Sequence, residues 1–174
     1  MRAFANSVRL ATDSMDVFAF PIVEVFEALA AEGYYDFEIL PVEEMQNSYG
    51  ETSYRDDLIR IREDIYDGAC LDDPFSRSTI AHELLHFLKH RQEEVTFCKS
   101  VEEINSIRTF ENPEWQANCF AGELLVPKHL VQHMTVEEVM TVCKVSRQMA
   151  ETQLSHYQEE GWDNEKSLLV GTKG

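Results

Sequence analysis

"STIAHELLHFLKH", residues 78–90, decides how this chain is read. Within an otherwise apolar run, His82, Glu83 and His86 spell H-E-x-x-H. Residues four apart on an α-helix lie one turn apart on one face, so both imidazoles can reach a single ion. Zinc accepts neutral imidazole nitrogens, takes four ligands, and in catalytic sites leaves one position to water. Glu83 projects from the same side, offset from His82, where a general base can take a proton from that water. Ile80, Ala81, Leu84, Leu85, Phe87 and Leu88 would bury the helix and hold its ligands rigid. A histidine pair on a helix is also often a plain solvated face, and five-residue patterns arise by chance. The reading therefore turns on a third ligand.

An elongated HExxHxxGxxH site needs glycine at 89 and histidine at 92, and the chain has Lys89 and Gln92. That class is excluded. His90 follows His86 by four, but flanked by Lys89 and Arg91 it reads as a solvated helix end. The remaining arrangement takes an acid from a later helix. Glu114 is the preferred candidate, because it sits in the first turn of the next strong helix, with Asn118 one turn on to support a ligand by hydrogen bonding. An acid in a first helical turn is equally explained by the helix dipole. Glu111 lies before the helix start and Glu123 more than two turns further along, which makes both weaker rivals.

At 174 residues and 44% hydrophobic, the chain has the size of one domain with a real core. Its formal net charge of -17 repels phosphate backbones and argues against nucleic acid as main partner, while favouring basic ones. Cys70, Cys98, Cys119 and Cys143 form no CxxC pair, and Cys119 and Cys143 read as small buried hydrophobes. The N-terminus lacks the apolar core of a signal peptide, and no apolar run is long enough for a membrane span. A cytoplasmic location is the expectation.

Outward from the central helix, which the pattern places from about Ser76 to Arg91, the chain reads as α+β, mostly helical with a small sheet. Residues 1–16 are a short helix or a loose arm. "FPIVEVFEALAAEGYY" is an amphipathic helix opened by Pro21 and stopped by Gly33. Residues 36–42 and 57–66 alternate as strands, with Pro41 marking an edge. "LDDPFSR" and residues 92–112 read as loops. Asn112 and Pro113 start a helix that Pro127 ends, with Trp115, Cys119, Phe120, Leu124 and Leu125 as its apolar side. Two short helices, "VEEVMTVC" and "SRQMAETQLSHYQEE", flank "KVS", and residues 161–174 form a loose tail.

"RSTIAHELLHFLKH" followed by "ENPEWQANCFAGELLVP" resembles the ImmA/IrrE family of bacterial and phage metallopeptidases. That family shows R-F-T-x-A-H-E-x-G-H, then E-x-x-A-[ND]-x-F-A-x-x-L-L-x-P. Arg77, Thr79, Ala81, His82, Glu83 and His86 match the first segment. Glu114, Ala117, Asn118, Phe120, Ala121, Leu124, Leu125 and Pro127 match the second. The 20–35 helix and the closing helix pair are similar to the family's more weakly. Leu85 stands where the family has glycine and Ser78 where it has phenylalanine, departures that bear on cleft shape more than on metal binding.

The resemblance implies a zincin-like (gluzincin-like) domain with a sheet of about three strands over residues 1–127, a helix-turn-helix-like segment over 128–160 and a tail. It implies a zinc endopeptidase; by donor chemistry alone the same ligands also accept another divalent metal such as Mn²⁺. His82, His86 and Glu114 are the implied ligands, Glu83 the base and Asn118 the supporting residue. The implied partner is a protein substrate, a small helix-turn-helix repressor, with no direct DNA contact by Arg147 or Gln148. Residues 57–66 would align the substrate as an exposed sheet edge. Tyr66, His129 and His133 are conceivable oxyanion donors, and the sequence chooses none of them.

Overall fold

The computed structural model describes residues 1–90 and 112–161. The expectations for the 92–111 loop, for the tail beyond 161, for the His90 side chain and for Glu111 lie outside these residues. Within them are eight helices and a three-stranded sheet. They run α1 (Arg2–Ala11), α2 (Ile22–Ala31), β1 (Asp36–Leu40), β2 (Gly50–Ser53), β3 (Leu58–Arg62), α3 (Glu63–Cys70), α4 (Pro74–His90), α5 (Pro113–Leu125), α6 (Lys128–Val131), α7 (Val136–Cys143) and α8 (Arg147–Glu160). The chain is a mostly helical α+β fold.

α2 buries Ile22, Val25 and Phe26, one helical face, and ends where Gly33 turns to φ +80°. β1 follows as an edge strand. It pairs only with β3, in parallel, from Asp36 opposite Leu58 to Leu40 opposite Arg62. β2 pairs with the other side of β3, antiparallel, from Gly50 opposite Ile61 to Ser53 opposite Leu58. Residues 57–66 are therefore not one exposed strand. β3 is the central strand, with buried Leu58, Ile59 and Ile61, and cannot accept a substrate strand. Its apparent continuation is α3, started by Glu63 and Asp64 at the favourable end of the helix dipole and buried through Ile65 and Ala69, four apart.

"LDDPFSR" is the start of α4 rather than a loop. Asp73 accepts hydrogen bonds from the Ser76 amide (2.8 Å) and hydroxyl (2.7 Å), and Pro74 takes the first helical position. α4 is the spine of the fold: α5, α3, α2 and the sheet all pack on it. Its Ile80, Ala81, Leu84, Leu85 and Phe87 are buried in one continuous core with Phe120, Leu124 and Leu125 of α5 and with Val139, Ala150 and Leu154 of α7 and α8. Leu85 thus spends its extra bulk in the core. α7 and α8 are helices as read, capped by Thr135 and Ser146 and joined through Lys144 in the left-handed conformation.

Residues 2–11 form a helix tied firmly down. Arg9 is fully buried, donating from Nε to the Leu124 carbonyl (2.8 Å) and from Nη1 to those of Ser14 (2.8 Å) and Val17 (2.7 Å). Burial pulls its pKa down to about 10. Arg77 plays a similar part from α4, donating to the Phe20 carbonyl (2.8 Å) and to Asp72 (3.1 Å). The motif arginine is therefore a structural tie between α4 and the segment before α2. Cys143 is buried as read, whereas Cys119 is half-buried and Trp115 is exposed.

Candidate metal centre

α4 and α5 lie against each other so that the first turn of α5 faces the middle of α4. Asn112 fixes that first turn, its side chain accepting from the Glu114 amide (2.9 Å) and the Trp115 amide (3.5 Å). Glu114 meets both histidines. Its Oε2 is 3.1 Å from His82 Nε2, its Oε1 is 3.2 Å from His86 Nε2, and the two Nε2 atoms are 3.0 Å apart. Among the described residues this is the one group of three metal-ligating side chains whose ligand atoms converge, all within 4.8 Å. A tetrahedral ion with bonds of ~2.0–2.1 Å spaces its ligands by about 3.3 Å, so the three donors fit one zinc-sized ion with minor spreading. Glu123, the rival further along α5, pairs with Arg2 (2.9 Å) and takes the Tyr157 hydroxyl (3.1 Å) instead.

Both imidazoles are braced from behind. His82 Nδ1 lies 3.2 Å from Asn118 Oδ1, and His86 Nδ1 lies 3.3 Å from the Tyr54 hydroxyl. An amide oxygen accepts only, so His82 Nδ1 carries a proton and donates to Asn118, and Nε2 is the ring nitrogen turned toward Glu114. Asn118 lies one turn along α5 from Glu114, beside His82. Tyr54 was not foreseen.

Glu83 sits beside these groups with only 8% of its surface exposed. β2 holds it there. Thr52 Oγ1 donates to Glu83 Oε2 (2.8 Å), and an ideal Cβ on Gly50 would stand 2.7 Å from Glu83 Cγ. Side chains two apart on a strand share a face, so Gly50, Thr52 and, just past the strand, Tyr54 all turn toward α4. "GETSY" (50–54) is thus the second wall of the site. It carries no apolar alternation, and its one sequence signal is a glycine and two hydroxyl residues at period two.

Electrostatics sort the two acids. Glu114, two-thirds exposed, is held well below the usual carboxylate range by its hydrogen bonds to His82 and His86. Burial raises Glu83, against the opposing hydrogen bond from Thr52. Burial alone would lower His82, but its hydrogen bond to Glu114 and the charges of Glu83 and Glu114 outweigh that and raise it. The other groups considered from sequence are engaged elsewhere: Tyr66 donates to Glu27, and His129 Nε2 faces the Met15 carbonyl (2.8 Å). His133 occupies a left-handed turn at φ 74°.

Three side chains able to hold a metal ion thus converge between the two central helices, beside a buried acid set against a small sheet. The family model of the IrrE N-terminal-like domain, Peptidase M78, matches residues 34–155, well over half the chain, and the chain belongs to that family. The match runs from the end of the α2 turn through most of α8, so α1 and α2 lie outside it. Comparison with curated proteins and with solved structures finds no match.

Proposed function

We propose that the protein is a cytoplasmic zinc endopeptidase acting on a regulatory protein, a small helix-turn-helix repressor. The observation that carries the reading is the convergence of His82, His86 and Glu114 within hydrogen-bonding distance of one another beside a buried Glu83. His82, His86 and Glu114 would hold the ion, Mn²⁺ being the alternative the same donors accept. When bound, it supplies Lewis acidity toward the scissile carbonyl and acidifies water at that position.

The chain does the rest. Glu83 takes the proton of the attacking water on its free carboxylate oxygen and passes it to the leaving amine. The Thr52 hydroxyl fixes the other oxygen and so aims the carboxylate. Burial moves the proton affinity of Glu83 toward neutrality, which suits a group that must both accept and release. Asn118 and Tyr54 hold the rings of His82 and His86 with Nε2 toward the centre. The sheet edge beside the site is β2, which takes over the substrate-aligning role expected of residues 57–66.

The repressor as partner is supported by the resemblance of the motifs, and a basic protein partner by the net charge of -17. No direct nucleic-acid binding is proposed. Arg147, the obvious candidate on α8, is paired with Glu137 (2.9 Å) and Glu151 (3.5 Å). No helix of the described residues is long and apolar enough to cross a membrane.

The test pairs metal analysis with Glu83→Gln. Purified protein should carry one zinc, lose it in His82→Ala, and keep it in Glu83→Gln while peptide hydrolysis disappears. A Glu83→Gln protein that retains the biological effect would instead identify a module that sequesters its partner without cutting it.

A further inference from the structure

Two half-exposed aromatic rings extend the same wall. Tyr49 immediately precedes Gly50, and its ring meets Phe75 edge-on with centroids 4.9 Å apart and planes at 83°. Tyr49 is 48% exposed and Phe75 52%. Phe75 lies on the stripe of α4 that carries Thr79, Glu83 and His86, at i+4, i+8 and i+11. It stands about 12 Å before Glu83, at ~1.5 Å per residue. The Tyr49 ring is held in place. The Arg62 guanidinium lies 4.4 Å over the Tyr49 ring and is itself forked onto Asp64 (2.6 and 2.9 Å), and the Arg62 amide donates to the Tyr49 carbonyl (3.1 Å). Rigid apolar surface held open from below is what a binding platform needs, because little ordering remains when a ligand side chain lands on it.

The strand beside it sets what lands there. Since the Tyr49 carbonyl bonds inward to Arg62, antiparallel alternation turns the backbone groups of Gly50 and Thr52 to the outer edge. There the Gly50 carbonyl takes the Ser48 hydroxyl (2.6 Å) on one lone pair and keeps the other. An extended polypeptide can add to this edge, and antiparallel addition is the more stable form. β2 runs in the same sense as α4, since Tyr49 meets Phe75, Thr52 meets Glu83 and Tyr54 meets His86. An antiparallel strand therefore heads from the His86 end toward Phe75. At ~3.3 Å per residue, 12 Å is three to four residues.

We propose that Tyr49 and Phe75 form a binding subsite for an aromatic or large aliphatic side chain, three or four residues C-terminal to the bond cut, on an extended substrate aligned by β2. The inference rests on the peptidase reading for its geometry. It deepens that reading by naming a sequence preference in the substrate.

The probe is a random library of internally quenched decapeptides, given to zinc-loaded wild type and scored position by position around the cut. The same library without quencher is passed over immobilised zinc-loaded Glu83→Gln protein. Wild type should enrich aromatic or large aliphatic residues about tenfold at the third or fourth position after the cut. Phe75→Ser and Tyr49→Ser should erase that enrichment, and Phe75→Tyr should keep it, with melting curves confirming that each variant is folded. A flat profile at those positions, enrichment confined to others, or enrichment unchanged in Phe75→Ser overturns the subsite while cleavage upholds the peptidase. Absence of cleavage with Phe75-dependent retention of aromatic peptides upholds the platform and overturns the peptidase. Peptides neither cut nor retained overturn both.

Discussion

Replacing Gly50 with alanine puts a methyl group against the side chain of Glu83. The added carbon would stand 2.7 Å from Glu83 Cγ and 3.0 Å from Cδ and Oε1. Carbon atoms in contact settle at about 3.5–4.0 Å, so the overlap is close to an ångström and something has to move. Gly50 has an ordinary negative φ, so the backbone itself tolerates the change and the penalty comes from the contact alone. If β2 retreats, the Thr52 hydrogen bond to Glu83 opens. If Glu83 swings aside, it leaves its rotamer at about 0.5–1.5 kcal/mol and loses its aim. Overpacking of this kind destabilises by about 1–3 kcal/mol, a fall of roughly 2–10 °C in Tm for a chain this long. A base displaced by about 1 Å loses on the order of a hundredfold in kcat. The three atoms nearest the added methyl all belong to Glu83, so zinc stoichiometry should be the same in Gly50→Ala as in wild type. The assay is hydrolysis of quenched peptides alongside zinc analysis and melting curves, with Glu83→Ala as a second background. In that background the clash has no partner, and Gly50→Ala should lose most of its stability penalty. Wild-type turnover in Gly50→Ala, or an equal penalty with and without the Glu83 side chain, would refute the contact as the reason glycine is there.

Thr52→Val removes the hydroxyl that orients Glu83 and should lower kcat by about tenfold or more with KM little changed, whereas Thr52→Ser should restore it; steady-state kinetics separate the two. Arg9→Ala strips three carbonyls, two of them buried, of their donor and should destabilise by about 3–5 kcal/mol in urea melts, without altering zinc affinity in whatever fraction folds. In the metal-free protein the site's groups pull stability in opposite directions with pH. Glu114, depressed in the fold, contributes stability above about pH 4.3 that is lost on acidification. His82, raised in the fold, contributes stability below about pH 6.5 that is lost as pH rises, and buried Glu83 works in the same sense. Zinc should reverse the upper limb. Protons compete for the same ligands, so the zinc-induced rise in Tm should be larger at pH 8 than at pH 5.5, and thermal melts with and without zinc check both halves.

What was legible in the sequence is what helices write with their own period. His82, Glu83 and His86 declare themselves by a spacing that only a helix turns into a site. Glu114 and Asn118 do so by standing one turn apart behind an Asn-Pro start that fixes where the helix begins. The same logic gave α2, α7 and α8, whose caps and stops are local. It failed where two elements share one pattern: Leu58, Ile59, Ile61 and Ile65 look like one long strand, yet the acidic pair Glu63 and Asp64 begins a helix inside it. It failed again for the start of α4, where Asp73 was available as a cap but the run of polar residues around it looked like a turn.

The half of the site that stayed hidden was hidden for a physical reason. β2 offers neither an apolar stripe nor a chelating residue, and its contribution is made of absence and of hydroxyls: no side chain at Gly50, one oxygen at Thr52, one at Tyr54. Such groups acquire meaning only from what stands opposite them, and the partner is about 30 residues away in the chain. Burial against that wall lifts the proton affinity of Glu83, and Thr52 keeps it from being lifted further. A mutation scan guided by the H-E-x-x-H segment alone would thus find the donors of the centre. It would miss the strand that decides how one of them is aimed.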